Sequence, residues 1–309
     1  MRNATGLTAR DLVVRTDFIT ATDASAVMGT SPFKTKYDIY MEKCVELVPL
    51  VPSPAMTWGL LLEPVILQFS QAVLAGLHKR PNLKLTKNGC RRRHNNGVMS
   101  ATLDARVTGL PEAVEAKTHA AIHGFVDTSA WGEPWTDSIP RWYLDQVLAQ
   151  LACSPDLERV WVVLSVGRAV PDFYCVDRAN HMPRIALIET TCCDFWDQHI
   201  LPNIPPEDST PSIEVARRIN VPVDPERVVT LEDSLIERRE KVSKFKNRLK
   251  DMQEDLDATI LTRMAGADKA VTPRGHSVGL TTYFCRTHEV KGGNRTRMNV
   301  RVRKMLPVV

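Results

Sequence analysis

The tightest constraint on this chain is a pair of strand-like segments that carry charged residues where a buried strand would carry apolar ones. Residues 97–107 (GVMSATLDARV) and 112–119 (EAVEAKTH) read as two strands, with Gly109-Leu110-Pro111 turning between them. Side chains alternate faces along a strand, so Glu115 and Lys117 share one face while Val114 and Ala116 point into the core. A hairpin brings Asp104 beside them. Two acids and an amine crowded on one face are unfavourable unless a chemistry requires them.

Helical patterns surround this hairpin. A short helix follows residues 15–22 (RTDFITAT), with Thr22 or Asp23 as N-cap and Gly29 closing it. Residues 35–45 have helical character, and 49–54 (PLVPSP) are a Pro-rich connection. From Thr57 to Gly76, apolar residues recur at helical spacing; Pro64 makes the helix start near Leu60 or kink. Pro140 opens a helix that runs to about Cys153, strands follow at 159–166 and 173–177, and a helix spans about 183–200. Helices alternating with strands predict a mixed α/β (α+β) fold, a central sheet flanked by helices. The predicted organisation is a core over 1–205, a Pro-rich linker over 206–230, and an extension over 231–309. That extension is a charged helix, with Thr230 and Asp233 as a capping box, and a basic hairpin.

With 40 Lys and Arg against 36 Asp and Glu, the net charge of +4 permits a nucleic-acid partner without demanding one. The seven cysteines form no CxxC pair, so neither a metal-ligand pattern nor a disulfide framework is expected. No apolar leader opens the chain, and no window of about 18 consecutive apolar residues occurs. A soluble, cytoplasmic protein with no membrane partner is the expectation.

Phosphodiester hydrolysis is a chemistry that would gather such a charge cluster. Hard divalent ions prefer carboxylate oxygens, and a bound metal activates water and steadies charge on the attacking and leaving oxygens. A neighbouring Lys can orient the water or stabilise developing charge. The D…ExK pattern is short and recurs by chance, so its surroundings matter. Trp58 to Pro64 (WGLLLEP) sets Glu63 alone in an apolar helical run, where a carboxylate calls for a partner or a metal. Residues 141–147 (RWYLDQV) place Gln146 on a helix, on one face with Gln150.

Five motifs therefore stand in order: residues 22–35 (TDASAVMGTSPFKT), Trp58 to Pro64, Met99 to Asp104, Glu115 to Lys117, and Tyr143 to Val147. The set resembles the lambda-exonuclease-like nucleases, and more closely the YqaJ-type viral recombinases, of the PD-(D/E)xK superfamily; the resemblance covers roughly residues 11–200. It implies a restriction-endonuclease-like core and a Mg²⁺-dependent DNA exonuclease, with Mn²⁺ able to substitute. Asp104 and Glu115 would be the central metal ligands, with Glu63 and the carbonyl of Ala116 contributing. Lys117 would position the attacking water, and Gln146 would orient it or a ligand. Arg15 and Thr22 match the residues that hold a DNA 5′-phosphate in the exonuclease branch, and Ser31 joins them in the same segment. Leu103 stands where the Pro of the superfamily name would be, and Thr22 replaces a Ser.

The resemblance further implies 5′→3′ digestion of one strand at double-stranded DNA ends, a single-strand annealing protein as partner, and a trimeric ring. A repair or restriction-type endonuclease and a non-catalytic DNA-binding module are the alternatives. The basic run 79–94 reads as a solvated loop or a backbone contact. Trp131 and Trp135 read as packing residues ahead of base-stacking ones, and His119 and His123 lack partners for a zinc site.

Overall fold

Residues 97–107 do not form one strand, and the break falls at the acid. The computed structural model describes residues 16–87, 89–119, 128–167, 170–219, 228–273, 277–285 and 293–301. The strands of the first unit are β1 Ile19–Thr20, β2 Leu85–Thr86, β3 Arg91–Arg93, β4 Met99–Thr102, β5 Ala105–Val107, β6 Glu112–Thr118, β7 Arg159–Ser165 and β8 Asp172–Asp177. Its helices are α1 Ala21–Val27, α2 Lys36–Cys44, α3 Pro54–Leu77, α4 Arg141–Ala152, α5 Met182–Phe195 and α6 Ile213–Ala216. The main sheet has the order β2-β5-β6-β7-β8, and β1-β4-β3 form a smaller one. The chain leaves the small sheet at Leu103-Asp104 and enters the large one at Ala105.

Only β6 and β7 of the main sheet run parallel, and a parallel pair needs a long crossover. That crossover contains α4. Both faces of the sheet are covered, as the mixed α/β reading expected. Ala113, Val160, Val162 and Leu164 face a core shared with α1, α4 and α5. Val114, Trp161, Val163 and Phe173 face the other core, built with Ile66, Leu67 and Leu74 of α3. Glu115 is thus covered by a helical layer, not exposed on a hairpin surface.

Local signals moved by a residue or more. Thr20, not Thr22 or Asp23, caps α1: its hydroxyl accepts from the Asp23 amide while the Asp23 carboxylate accepts from the Thr20 amide. The fixed φ of Pro54 suits the first turn of α3, and Ser53 caps that helix by accepting from the Met56 amide. The helix therefore starts earlier than expected and runs through Pro64. By length and composition α3 could cross a membrane, with a mean hydropathy of 1.6. Ile66, Leu67 and Leu74 are nonetheless buried against the sheet, while Trp58, Leu61 and Val65 are exposed.

The Pro-rich stretch expected as a linker is in its first part bonded to α2. The Ser212 amide donates to Asp38 Oδ1 at 2.7 Å, the Thr35 hydroxyl to the Thr210 carbonyl at 2.9 Å, and Arg218 pairs with Glu42 at 3.3 Å. The chain divides into two compact units at Pro222 and Val223.

The second unit holds α7 (Asp233–Met264) and the sheet β11-β10-β9, from β9 Lys269–Val271, β10 Ser277–Cys285 and β11 Gly293–Arg301. The expected hairpin is present as the antiparallel pair β10–β11, and β9 adds a third strand that the sequence pattern did not show. Its loop and the residues after 301 lie outside the described residues. The expected capping box does not form: α7 starts at Asp233, so its N-cap is Glu232 and Thr230 falls too early.

Candidate active site

The bend at Asp104 sets its carboxylate against the next strand. With Ala105 opposite Val114, Asp104 reaches the amide of Ala116, which donates to Oδ2 at 2.8 Å. Glu115 and Lys117 project from the same face of β6 toward α4. Lys117 Nζ donates to Glu115 Oε1 at 2.6 Å.

Helix α4 completes the arrangement. Gln146 and Gln150 are one turn apart, so their amides align on one face. Gln146 Nε2 donates to Glu115 Oε1 and Gln150 Nε2 to Glu115 Oε2, each at 2.7 Å. Gln146 Oε1 accepts from Lys117 Nζ at 3.1 Å, and the ammonium lies 4.8 Å from the Tyr143 ring centroid. The preceding residue, Asp145, anchors the helix: its carboxylate accepts from Arg184 Nε and Nη2, at 2.9 and 2.7 Å, and from the Thr30 hydroxyl at 2.7 Å. Fixed helix position and fixed strand register together hold Glu115 in place.

The opposite layer contributes a close approach. A Cβ on Gly59 would stand 3.2 Å from the Thr118 hydroxyl, so glycine lets α3 lie close on the end of β6. This gives the Trp58-Gly59 pair a packing role.

The electrostatics are those of a site with excess negative charge. Burial, reinforced by the charge of Glu115, holds the Asp104 carboxyl well above the usual range, against the pull of Lys117 and the Ala116 amide. Burial draws the Lys117 ammonium down, but Glu115 and Asp104 outweigh it and raise its affinity for the proton. Lys117 is therefore a positive charge at rest, not a ready base. Gln150 Oε1 is buried with no hydrogen-bond donor among the described residues. Crowded hard-oxygen donors beside an unsatisfied acceptor fit a hydrated divalent cation, which would relieve Asp104 and whose water could serve Gln150.

The sequence-predicted residues fall into three groups. Asp104, Glu115, Ala116, Lys117 and Gln146 come together. Glu63 does not join them by hydrogen bond, and instead accepts from Lys87 Nζ at 2.6 Å. Its charge does contribute to the raised Asp104 carboxyl. Among the described residues no three His, Cys, Asp or Glu side chains gather at metal-ligand spacing, so only two carboxylates stand ready. Thr22 is exposed on the first turn of α1, and the Ser31 hydroxyl accepts from the Phe33 and Lys34 amides of the following turn. Arg15 lies outside the described residues.

Two contributors were missed. Gln150 shared a helical face with Gln146 in the sequence, and that spacing was the available signal. Tyr143 carried no signal of its contact with Lys117.

Other candidate groups resolve into packing. Trp131 packs on Tyr143 and Tyr174, and Trp135 stacks on Phe173 with ring centroids 5.3 Å apart. In the 79–94 run, Lys87 pairs with Glu63, Arg92 with Asp156, and Arg93 lies over Phe18. The six described cysteines are free thiols, and burial pushes Cys90 up to about 11 and Cys153 up to about 12.

Two solved structures of an alkaline exonuclease (LHK-Exo) from Laribacter hongkongensis, one in complex with dAMP, are 19% identical to this chain. Each covers 62% of this chain and 92% of its own, with TM-scores of 0.44 and 0.45. A phage-related exonuclease from Haemophilus somnus is 14% identical over 61% of this chain and 97% of its own, with a TM-score of 0.43. No curated protein matches the chain. The family model for the YqaJ-like viral recombinase domain matches residues 12–155, a span that holds Asp104, Glu115, Lys117, Gln146 and Gln150. Over those residues this chain is similar to the YqaJ-like viral recombinase domain family.

Proposed function

We propose that this chain is a divalent-metal-dependent DNA exonuclease, most active with Mg²⁺, that degrades one strand of linear duplex DNA 5′→3′. The product would be a 3′ single strand ready for a single-strand annealing protein. The observation that carries the reading is the clamp on Glu115: Lys117, Gln146 and Gln150 fix both its oxygens beside Asp104. A binding surface for DNA has no use for two acids held in this way, since they repel phosphate.

Asp104 and Glu115 would hold the cation, with the carbonyl of Ala116, between Glu115 and Lys117 in sequence, contributing and Glu63 reaching it through water if released from Lys87. When bound, the metal would supply an activated water and neutralise phosphate charge. The protein's own residues set the rest. Lys117, protonated, would donate toward the phosphate oxygens and the attacking water. Gln146 stays with Glu115 or turns its carbonyl to the water. Arg15, with the hydroxyls of Thr22 and Ser31, would receive the 5′-phosphate.

The test is digestion of linear duplex DNA carrying 5′-phosphate or 5′-hydroxyl ends, and of a covalently closed circle, with and without Mg²⁺. Loss of the phosphorylated linear DNA with an intact circle supports the reading. A cut circle makes the chain an endonuclease, and no cleavage of any substrate makes it a binding module. Arg15→Ala should harm phosphorylated ends selectively.

A further inference from the structure

Helix α7 carries an apolar seam that its own unit leaves open. Leu235, Val242, Leu249 and Leu256 recur every seven residues, and Phe245 and Met252 each follow one of them by three. All six are between 54 and 66% exposed. A strict seven-residue repeat at these two positions marks a helix built to pair with another by interlocking side chains. Spread from Leu235 to Leu256, the seam is about 32 Å long at 1.5 Å per residue. A surface helix that only shields a globular core buries such a stripe against its own unit. Here all six positions face solvent.

The charges say which helix fits. Residues 238–250 hold seven basic side chains and one acid, whereas residues 251–257 hold four acids and no base. The sign changes between Lys250 and Asp251, within the seam and midway between Arg238 and Arg263. A second α7 laid parallel would set base on base and acid on acid. Laid antiparallel about a two-fold axis at that switch, it sets each basic half on an acidic half. We infer that two copies of this chain associate through α7 as an antiparallel coiled coil centred between Leu249 and Met252.

The register follows from the axis. Leu249 meets the partner subunit's Met252, and Phe245 meets the partner subunit's Leu256. Beside the seam, Arg248 meets the partner subunit's Asp255, and symmetry makes that contact twice. A parallel pairing would instead set Arg248 against Gln253, so this pair reports the direction of the helices. Arg238 and Arg263 occupy the seam positions beyond Val242 and Thr259 and bound the paired stretch, which leaves Leu235 outside it. The interface makes no use of the active site, and its test is independent of nuclease activity.

The experiment is sedimentation-velocity mass measurement of the full chain without DNA, for wild type and for surface variants that disturb no core. The Phe245→Asp/Leu249→Asp double variant should halve the mass of the wild-type species while circular dichroism shows the fold retained. Arg248→Asp and Asp255→Arg alone should each weaken association by at least about tenfold, through like-charge contacts made twice. Mixing these two single variants should restore it, because the mixed pair regains opposite charges at both contacts. An unchanged mass in the double variant overturns the inference. So does failure of the mixture to recover, or association that appears only when duplex DNA is added.

Discussion

Replacing Asp104 by Asn should abolish cleavage and yet make the metal-free protein more stable. The Ala116 amide donates to Asp104 Oδ2, and an Asn carbonyl oxygen can accept the same bond, so the strand-to-bend contact survives. What disappears is a desolvated charge facing Glu115. Two unit charges about 4 Å apart repel by ~4 kcal/mol at an effective dielectric of ~20. Lys117, 2.6 Å from Glu115, cancels much of that. A net gain of about 1–2 kcal/mol is expected, near 3–6 °C in melting temperature for a unit of this size. The sign with pH follows from the raised Asp104 carboxyl. A carboxyl raised by folding adds stability below its unfolded value, and that stability is lost as pH climbs through the folded value. Metal-free wild type should therefore weaken as pH rises above the ordinary Asp range, and Asp104→Asn should not. The assay is calorimetric melting in EDTA from about pH 4 to about pH 8, repeated with Mg²⁺. Mg²⁺ should raise the wild-type melting temperature and leave the variant unmoved. A variant that melts at or below wild type in EDTA at about pH 8 would refute the charge-crowding argument.

Three further outcomes follow. Lys117→Met should lower turnover by at least about 10³-fold while leaving duplex binding, measured by fluorescence anisotropy in Ca²⁺, within a few fold; wild-type turnover would end its assigned role. Gln150→Leu removes the donor to Glu115 Oε2 and should weaken Mg²⁺ binding by about 10–100-fold, seen in calorimetric titration, with a smaller effect on the saturated rate. Gly59→Val should cost about 1–3 kcal/mol in denaturant melts by pressing on Thr118, and Thr118→Ala in the same chain should recover part of it; additive losses would place the strain elsewhere.

The site was legible where it lay within a few residues of sequence. Glu115 and Lys117 share a face because alternate strand residues must, and Gln146 and Gln150 share one because a helix turn spans four residues. Glu63 shows the limit of such reading. An acid alone in an apolar helix needed a partner, and the sequence offered a metal or a base. Only the folded chain supplies Lys87 at 2.6 Å, from a strand edge more than twenty residues away. The membrane reading divides similarly: α3 has the length and apolarity of a span, but which of its residues meet the sheet depends on where β6 lies.

What the sequence by itself determined is periodicity and chemistry: the mixed α/β order, the D…ExK pattern, the paired glutamines, and the seven-residue repeat of α7. These are local, since they depend on the rise and twist of one element. What the tertiary structure decided is each relation between elements. Asp104 sits at a crossing from one sheet to another, where a continuous strand was expected. Glu115 is buried under α4, where the strand pattern turned its face away from the core. Residues 206–219, with the composition of a linker, are held to α2 by bonds to Asp38, Thr35 and Glu42. The physical reason is common to all three. Burial and pairing depend on surfaces brought together from distant parts of the chain, and no local pattern specifies which surfaces those are.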